Sequence, residues 1–438
     1  MGEQKVWTKN YSILTSSNML YSSGFYMLMP TIPLFIVALG GTEAQVGLVA
    51  TAFSVASILM RFFINIVFRK ADKTRTFLAG MLLTVFIIAM YVWADSVGSI
   101  MVLRILQGFG FGIVSTLCAA TVADILPESR KAEGIGYFGL GTILAAAVCP
   151  ALGLYILSAY GFRAMFLVAA VFPLLAFIDG LFFKPPRGER NTTAVETRPF
   201  QVEMPCALLE EETGEQEEIL PDIQPVAKKA AGFFDLESKL AFVLNRIFDR
   251  KLAMQAGLLV LLGISRSADM NFISVFASEQ KIAFLSWYYI VQTGASFALR
   301  SFIGKLTDRK GYWWSIIPGG CAMLASLLIL SVTHSSALLI LAGLCGGLAF
   351  GAILPTMQTW MFNSVELKKS RLASATYYNS YDIGIGAGAV LLGYLVEISG
   401  FSLMFRVAAV FVVLFLVIYL GHIMKQRKTG SSHTINER

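Results

Sequence analysis

Twelve stretches of this chain are each long and apolar enough to cross a lipid bilayer, and that recurring length constrains the fold more than any other feature. A hydrocarbon core about 30 Å thick takes roughly 20 helical residues. With no water along its flanks, such a segment must satisfy its backbone hydrogen bonds within itself. The first six runs are Tyr11–Leu39, Ala44–Phe68, Thr76–Ala94, Ser99–Val122, Gly134–Leu157 and Ala164–Phe183. The second six are Leu252–Phe276, Ile282–Ile303, Ser315–Val332, Ala337–Phe362, Ala373–Glu397 and Phe401–Leu420. Only 14% of the residues are charged and 56% are hydrophobic, too little polar surface for a chain of 438 residues to cover itself in water. The expectation is an all-α polytopic membrane protein in the bilayer.

Charge sets the orientation. With the amino terminus in the cytoplasm, 28 of the 35 Lys and Arg fall in inner segments, while the outer loops hold Arg163 and Lys281. That is the positive-inside pattern, and it predicts both termini inside a bacterial inner membrane. It also accounts for the net charge of +7 without nucleic acid as a partner. The polar start Met1–Asn10 and the long apolar run after it do not read as a cleavable signal peptide.

Several chemistries find no support. Four of the five cysteines sit in apolar runs and Cys206 in a polar one, so no outer disulfide framework is expected. The three histidines are scattered and form no metal-ligand cluster. No phosphate-cradling loop of the G-x-x-x-x-G-K-[ST] type is present. No nucleophile–base cluster suggests a membrane-embedded enzyme or receptor, and no cofactor or metal is implied.

The halves repeat. Residues recur at a constant offset of 239: Arg61-Phe62-Phe63-Ile64 with Arg300-Ser301-Phe302-Ile303, Gly108 with Gly347, and Gly161-Phe162 with Gly400-Phe401. Two six-span halves in the same orientation are expected, 1–183 and 252–438, related by duplication and rocking about a central cavity.

Motifs then name a resemblance. Gly304-Lys305-Leu306-Thr307-Asp308-Arg309-Lys310-Gly311, between spans eight and nine, resembles the signature loop of the major facilitator superfamily. Arg104 and Gln107 lie in a stretch similar to that family's fourth-span motif, and Asp124 to Gly134, with Arg130, resembles the loop after it. Pro150 and Gly153 match the fifth-span motif of its twelve-span drug:proton antiporter branch, although Cys149 and Leu154 stand where glycines are usual. The resemblance implies the major facilitator fold, secondary transport by a functional monomer, and a conformational latch at Gly304, Asp308, Arg309, Gly311, Asp124 and Arg130. In the first-half copy of the loop, Asn65, Arg69 and Asp72 replace Gly, Asp and Gly, so Asp308 is the expected latch acid. Pro150 and Gly153 also read as a simple kink with close packing.

Two carboxylates lie well inside spans, Asp269 in the seventh and Asp382 in the eleventh. A carboxylate at the bilayer centre costs about 2.5–3.5 kcal/mol on insertion scales, so each needs a partner or a task. One reading gives them proton coupling: uptake when the cavity opens outward, release inside. The other leaves Asp269 paired with Arg266 at helical spacing i, i+3 and Asp382 satisfied by neighbouring tyrosine hydroxyls. Candidate cavity residues beside them are Arg104, Gln107, Asn18, Tyr21, Gln292, Tyr378 and Asn379, with packing a sufficient explanation for several.

Between the halves, Lys184–Lys251 is a cytoplasmic linker with an acidic middle, and about 233–250 an apolar stripe predicts an amphipathic helix on the inner face. The functional expectation is a proton-coupled exporter of small organic molecules. Its alternative is a proton symporter importing a sugar or organic anion. Small-molecule cargo, protons and lipid are the expected partners.

Overall fold

In the computed structural model of the chain, residues 6–66, 72–127, 130–184, 252–365 and 370–428 are described. The amphipathic helix expected at about 233–250 lies outside them. Every regular element among the described residues is helical. In chain order these are α1 Lys9–Ala38, α2 Glu43–Ile66, α3 Lys73–Met90, α4 Val97–Ile125, α5 Lys131–Leu181, α6 Ala253–Glu279, α7 Leu285–Lys310, α8 Trp313–Ser331, α9 Ser336–Asn363 and α10 Ser370–Lys428. A short 3-10 turn, Tyr91–Trp93, extends α3.

Local chemistry explains several boundaries. The Thr8 hydroxyl accepts from the Tyr11 amide and caps α1, and Ser96 and Ser99 form a capping box before α4. Asp72 accepts from the Thr74 and Arg75 amides at the start of α3. The α7 helix stops at Gly311, whose φ of 85° lies in the left-handed region that a glycine adopts freely.

The longest elements, α5 and α10, are each two helices meeting at a kink. The kinks fall at Gly161, φ 77° and ψ 178°, and Gly400, φ 78° and ψ 172°. These glycines are 239 residues apart, the spacing of the sequence repeat. The same offset reappears in packing. A Cβ built on Gly108 would come within 2.6 Å of the Phe53 carbonyl, and one on Gly347 within 2.1 Å of the Gln292 carbonyl. Gly112 faces the Ser57 carbonyl and Gly351 the Ser296 carbonyl, both at 2.8 Å. Thus α4 lies against α2 as α9 lies against α7, residue for residue. Small residues let these backbones approach, which is how helices associate where lipid offers no hydrophobic contrast.

The outer surface is apolar. Phe302, Val410 and Phe86 are each more than 60% exposed, a display that lipid accepts and water does not. Exposed Trp93, Tyr155, Tyr160 and Trp287 gather toward one set of helix ends, and Trp7, Tyr137, Trp313 and Trp314 toward the other. Aromatic rings at both ends mark two membrane–water boundaries. Nine of the described helices are long and apolar enough to span. The α7 helix falls short by that measure, since its polar residues Gln292, Thr293 and Arg300 reduce its apolar character. The chain is a multi-pass membrane protein.

If close glycine contact holds the helix pairs together, Gly347→Ala will lower the thermal unfolding midpoint in detergent, an overpacking cost of about 1–3 kcal/mol. Gly98→Ala, whose Cβ would meet nothing within 4 Å, should not lower it.

Candidate functional site

Polar side chains inside the helical bundle include three networks that each contain an arginine. The first joins α6 and α7. Asp269 is 3% exposed, and its Oδ2 accepts from the Arg266 guanidinium, from the Tyr288 hydroxyl at 3.0 Å and from the Gln292 amide at 2.8 Å. Gln292 Nε2 also reaches the Tyr288 hydroxyl at 3.1 Å. The Arg266 guanidinium stacks 4.0 Å from the centre of the Phe350 ring. Asp269 Oδ1 and the Tyr289 hydroxyl are buried and have no hydrogen-bond partner. The i, i+3 pairing expected from the sequence is present, and Gln292, read there as a cavity residue, belongs to the same network.

The second place joins a first group of helices, α1 to α5, to a second, α6 to α10. Arg61 of α2 donates to Asp382 of α10 at 2.5 Å, with both side chains about a quarter exposed. Sequence reasoning placed tyrosines around Asp382, but Tyr377 gives its hydroxyl to the Leu354 carbonyl at 3.1 Å. Tyr378 is 48% exposed and packs edge-on against Tyr377, and Asn379 is buried. Arg61 had entered only as part of the repeat. Its equivalent, Arg300, is exposed on α7.

The third place lies in the first group. Arg104 and Gln107 are both buried on α4. Gln107 Oε1 accepts from Arg104 Nη1 at 3.3 Å and from the Tyr91 hydroxyl at 3.0 Å. The Arg104 guanidinium lies 5.3 Å from the centre of the Phe53 ring, and Phe53 packs with Phe25 and Phe111, each pair of centroids within 5.5 Å. Tyr91 escaped the sequence reading because it sits at the end of its span, where nothing in the local pattern marks it as a partner for α4.

The remaining candidates are placed as follows. The Asn18 amide donates to Thr142 at 2.9 Å, tying α1 to α5, and Tyr21 shares a hydrogen bond with Thr84 at 3.1 Å. A Cβ on Gly153 would meet the Met27 carbonyl at 2.9 Å, so α5 crosses α1 closely just past Pro150. Asp124 accepts from Lys73 at 3.1 Å and Arg130 starts α5. Gly304 and Asp308 lie in α7, where the Asp308 side chain is outside the described residues, and Arg309 is exposed. A further acid, near the end of α5, is also held inside the bundle. Asp179 accepts from the Ser16 and Ser17 hydroxyls, the latter at 3.0 Å.

Direct contacts between the two groups run from the helix ends at Leu39–Thr42 and Gly400, the outer rim of the bundle by the positive-inside pattern, to mid-helix. A Cβ on Gly47 would stand 2.0 Å from the Ala389 carbonyl, and one on Gly393 would stand 2.7 Å from the Glu43 carbonyl. Thr51 donates to the Gly386 carbonyl at 2.6 Å, and Thr293 to the Ala146 carbonyl at 3.3 Å. That rim is shut. Below that rim the Arg61–Asp382 pair ties the two groups together.

The family model for the Major Facilitator Superfamily matches residues 14–333 and 256–436, and the chain belongs to that superfamily. Among curated relatives, it is 24% identical to the multidrug resistance protein MdtG of Enterobacter lignolyticus, over 97% of this chain and 94% of that one. It is 22% identical to an MFS-type transporter of Methanocaldococcus jannaschii, over 94% and 98% respectively. Among solved structures it resembles the nucleoside transporter NupG, with TM-score 0.69, 12% identity, and 94% and 99% of the two chains covered. A bacterial homologue of the human lysosomal transporter Spinster, in an inward-facing and unoccupied conformation, aligns with TM-score 0.68 and 14% identity over 95% and 97%. These likenesses fix the fold.

Removing one partner of a buried pair leaves the other charge uncompensated, typically at about 3–5 kcal/mol. Asp269→Asn is therefore expected to destabilise the protein sharply, and adding Arg266→Gln should recover part of the loss. Additive losses in a thermal double-mutant cycle would mean that the two side chains act independently.

Proposed function

We propose that this protein exports small amphipathic organic molecules across the bacterial inner membrane by proton antiport, with both termini cytoplasmic. Residues 1–183 and 252–438 act as the two rocking halves, and 184–251 tethers them on the cytoplasmic side. The observation that carries the reading is the Arg61–Asp382 pair, which joins α2 to α10 beneath a shut rim. By the positive-inside pattern that rim faces outward, so the arrangement corresponds to a carrier open to the cytoplasm. The MdtG relatives, multidrug resistance proteins by name, and the Pro150–Gly153 motif support the export direction.

Asp382 is the proton site in this account. While the carboxylate is ionised and paired with Arg61, it fastens the outer rim and holds the inward-open state. Cargo entering from the cytoplasm competes for the pair, and its binding lets the halves rock outward. A proton arriving from outside at Asp382 Oδ2 neutralises the acid, cargo leaves, and the protonated carrier returns. Arg61 then re-forms the pair and the proton passes to the cytoplasm. Either cargo or a proton must break the pair, and that requirement couples the two flows. Asp269, held by three donors, acts as the fixed anchor of the second half. Asp308 of the signature loop and Asp124 with Arg130 are proposed to latch the cytoplasmic face when it closes.

The test loads cells with a panel of cationic, neutral and anionic amphipathic dyes. Wild type should extrude at least one dye faster than cells lacking the protein, and a protonophore should abolish the difference. Asp382→Asn should lower that rate by about tenfold or more, because the site can no longer alternate between charged and neutral forms. Wild-type extrusion by Asp382→Asn would remove the proton assignment. Faster uptake of dyes, or no extrusion of any, would remove export.

A further inference from the structure

The three intramembrane arginines that sit inside the bundle are not in equivalent situations. Arg61 faces Asp382 and Arg266 faces Asp269, so each of those cations is matched by a carboxylate. Arg104 is 8% exposed, yet no carboxylate forms an ion pair with it among the described residues. Its Nη1 reaches only the amide oxygen of Gln107, which it shares with the Tyr91 hydroxyl, and its Nε is buried with no hydrogen-bond partner. An isolated guanidinium inside a membrane protein is costly, and such residues mark cargo or ion pathways. Its surroundings are aromatic. Phe53, beneath the guanidinium, packs against Phe25 and Phe111, and all three residues are half-buried.

We infer that Arg104 is the docking point for an anionic group of the cargo, with Phe25, Phe53 and Phe111 receiving its aromatic part. The cargo class is therefore aromatic organic anions. This rests on the export reading above and narrows it. Guanidinium geometry suits the assignment, since its planar N–H groups match the oxygens of a carboxylate, sulfonate or phosphonate. Exchanging the neutral Gln107 contact for a charged oxygen strengthens the hydrogen bond that the guanidinium makes. Stacking rings give area without demanding one scaffold, which fits a carrier of several related molecules.

The experiment measures equilibrium binding to the full-length protein in lipid nanodiscs, with empty nanodiscs as the blank. Three probes of matched shape are used: naphthalene sulfonate, naphthyl methyl sulfone and naphthyl trimethylammonium. Their charges are fixed, so pH does not blur the comparison. Wild type should bind the sulfonate about tenfold more tightly than the sulfone, and the ammonium most weakly. Arg104→Lys, which keeps the charge but not the fork, should retain part of that preference. Arg104→Gln should bring the sulfonate-to-sulfone ratio close to one, with the thermal midpoint of each variant checking that it is folded. Equal binding of the three probes by wild type would overturn the inference, as would tighter binding of the ammonium, a preference surviving Arg104→Gln, or no binding of the sulfonate. Dye extrusion that still responds to the protonophore in any of those cases would leave export standing, so the two failures are distinguishable.

Discussion

A charge placed inside a hydrocarbon layer must find its compensation within the protein, and the arrangement of this bundle follows from where each charge finds it. Asp269 meets Arg266 one turn away on its own helix, and Tyr288 and Gln292 from the neighbouring helix complete the shell. Asp382 has no such local partner and reaches across to Arg61, 321 residues away in the chain. One compensation is internal to a half and survives any rigid rocking. The other exists only while α2 and α10 lie together. On the proposed mechanism the same physical need produces a permanent anchor in one case and a state-dependent fastening in the other.

Backbone contact makes that distinction usable. Within each group, glycine pairs such as Gly108 and Gly112 bring carbonyls and helix surfaces so close that a methyl group would collide. Between the groups, the tight approaches at Gly47 and Gly393 lie at one rim, so separation there exposes the ion pair to protons without dismantling either half. Two packed groups joined at one end, with an ion pair further along the same two helices, are what the proposed alternating access needs.

How much of this was legible in the sequence depends on the distance between partners. The 239-residue offset was readable, and it returned in the kinks at Gly161 and Gly400 and in the carbonyls that the paired glycines face. The Arg266–Asp269 pair was readable because helical periodicity puts i and i+3 on one face. Arg61 was visible only as a repeated residue, since no periodicity within one helix reports what a helix in the other half presents to it. Tyr91 and Tyr288 were missed for the same reason: each completes a network from a neighbouring helix, near the end of its own span. Asp179 was set aside for lying near a helix end, although Ser16 and Ser17 hold it inside the first half.

The most direct test of the account is the distance between the two rims at the end where α2 meets α10, followed as a function of pH. Spin labels at Gln45 and Leu395, in a protein whose five cysteines have been replaced, would report it by double electron–electron resonance in nanodiscs. The account predicts a short distance at neutral pH, a growing long-distance population on acidification, and that long population at neutral pH in Asp382→Asn. A distribution that ignores both pH and the Asp382→Asn substitution would contradict it, because the Arg61–Asp382 pair would then not be what keeps the rim shut.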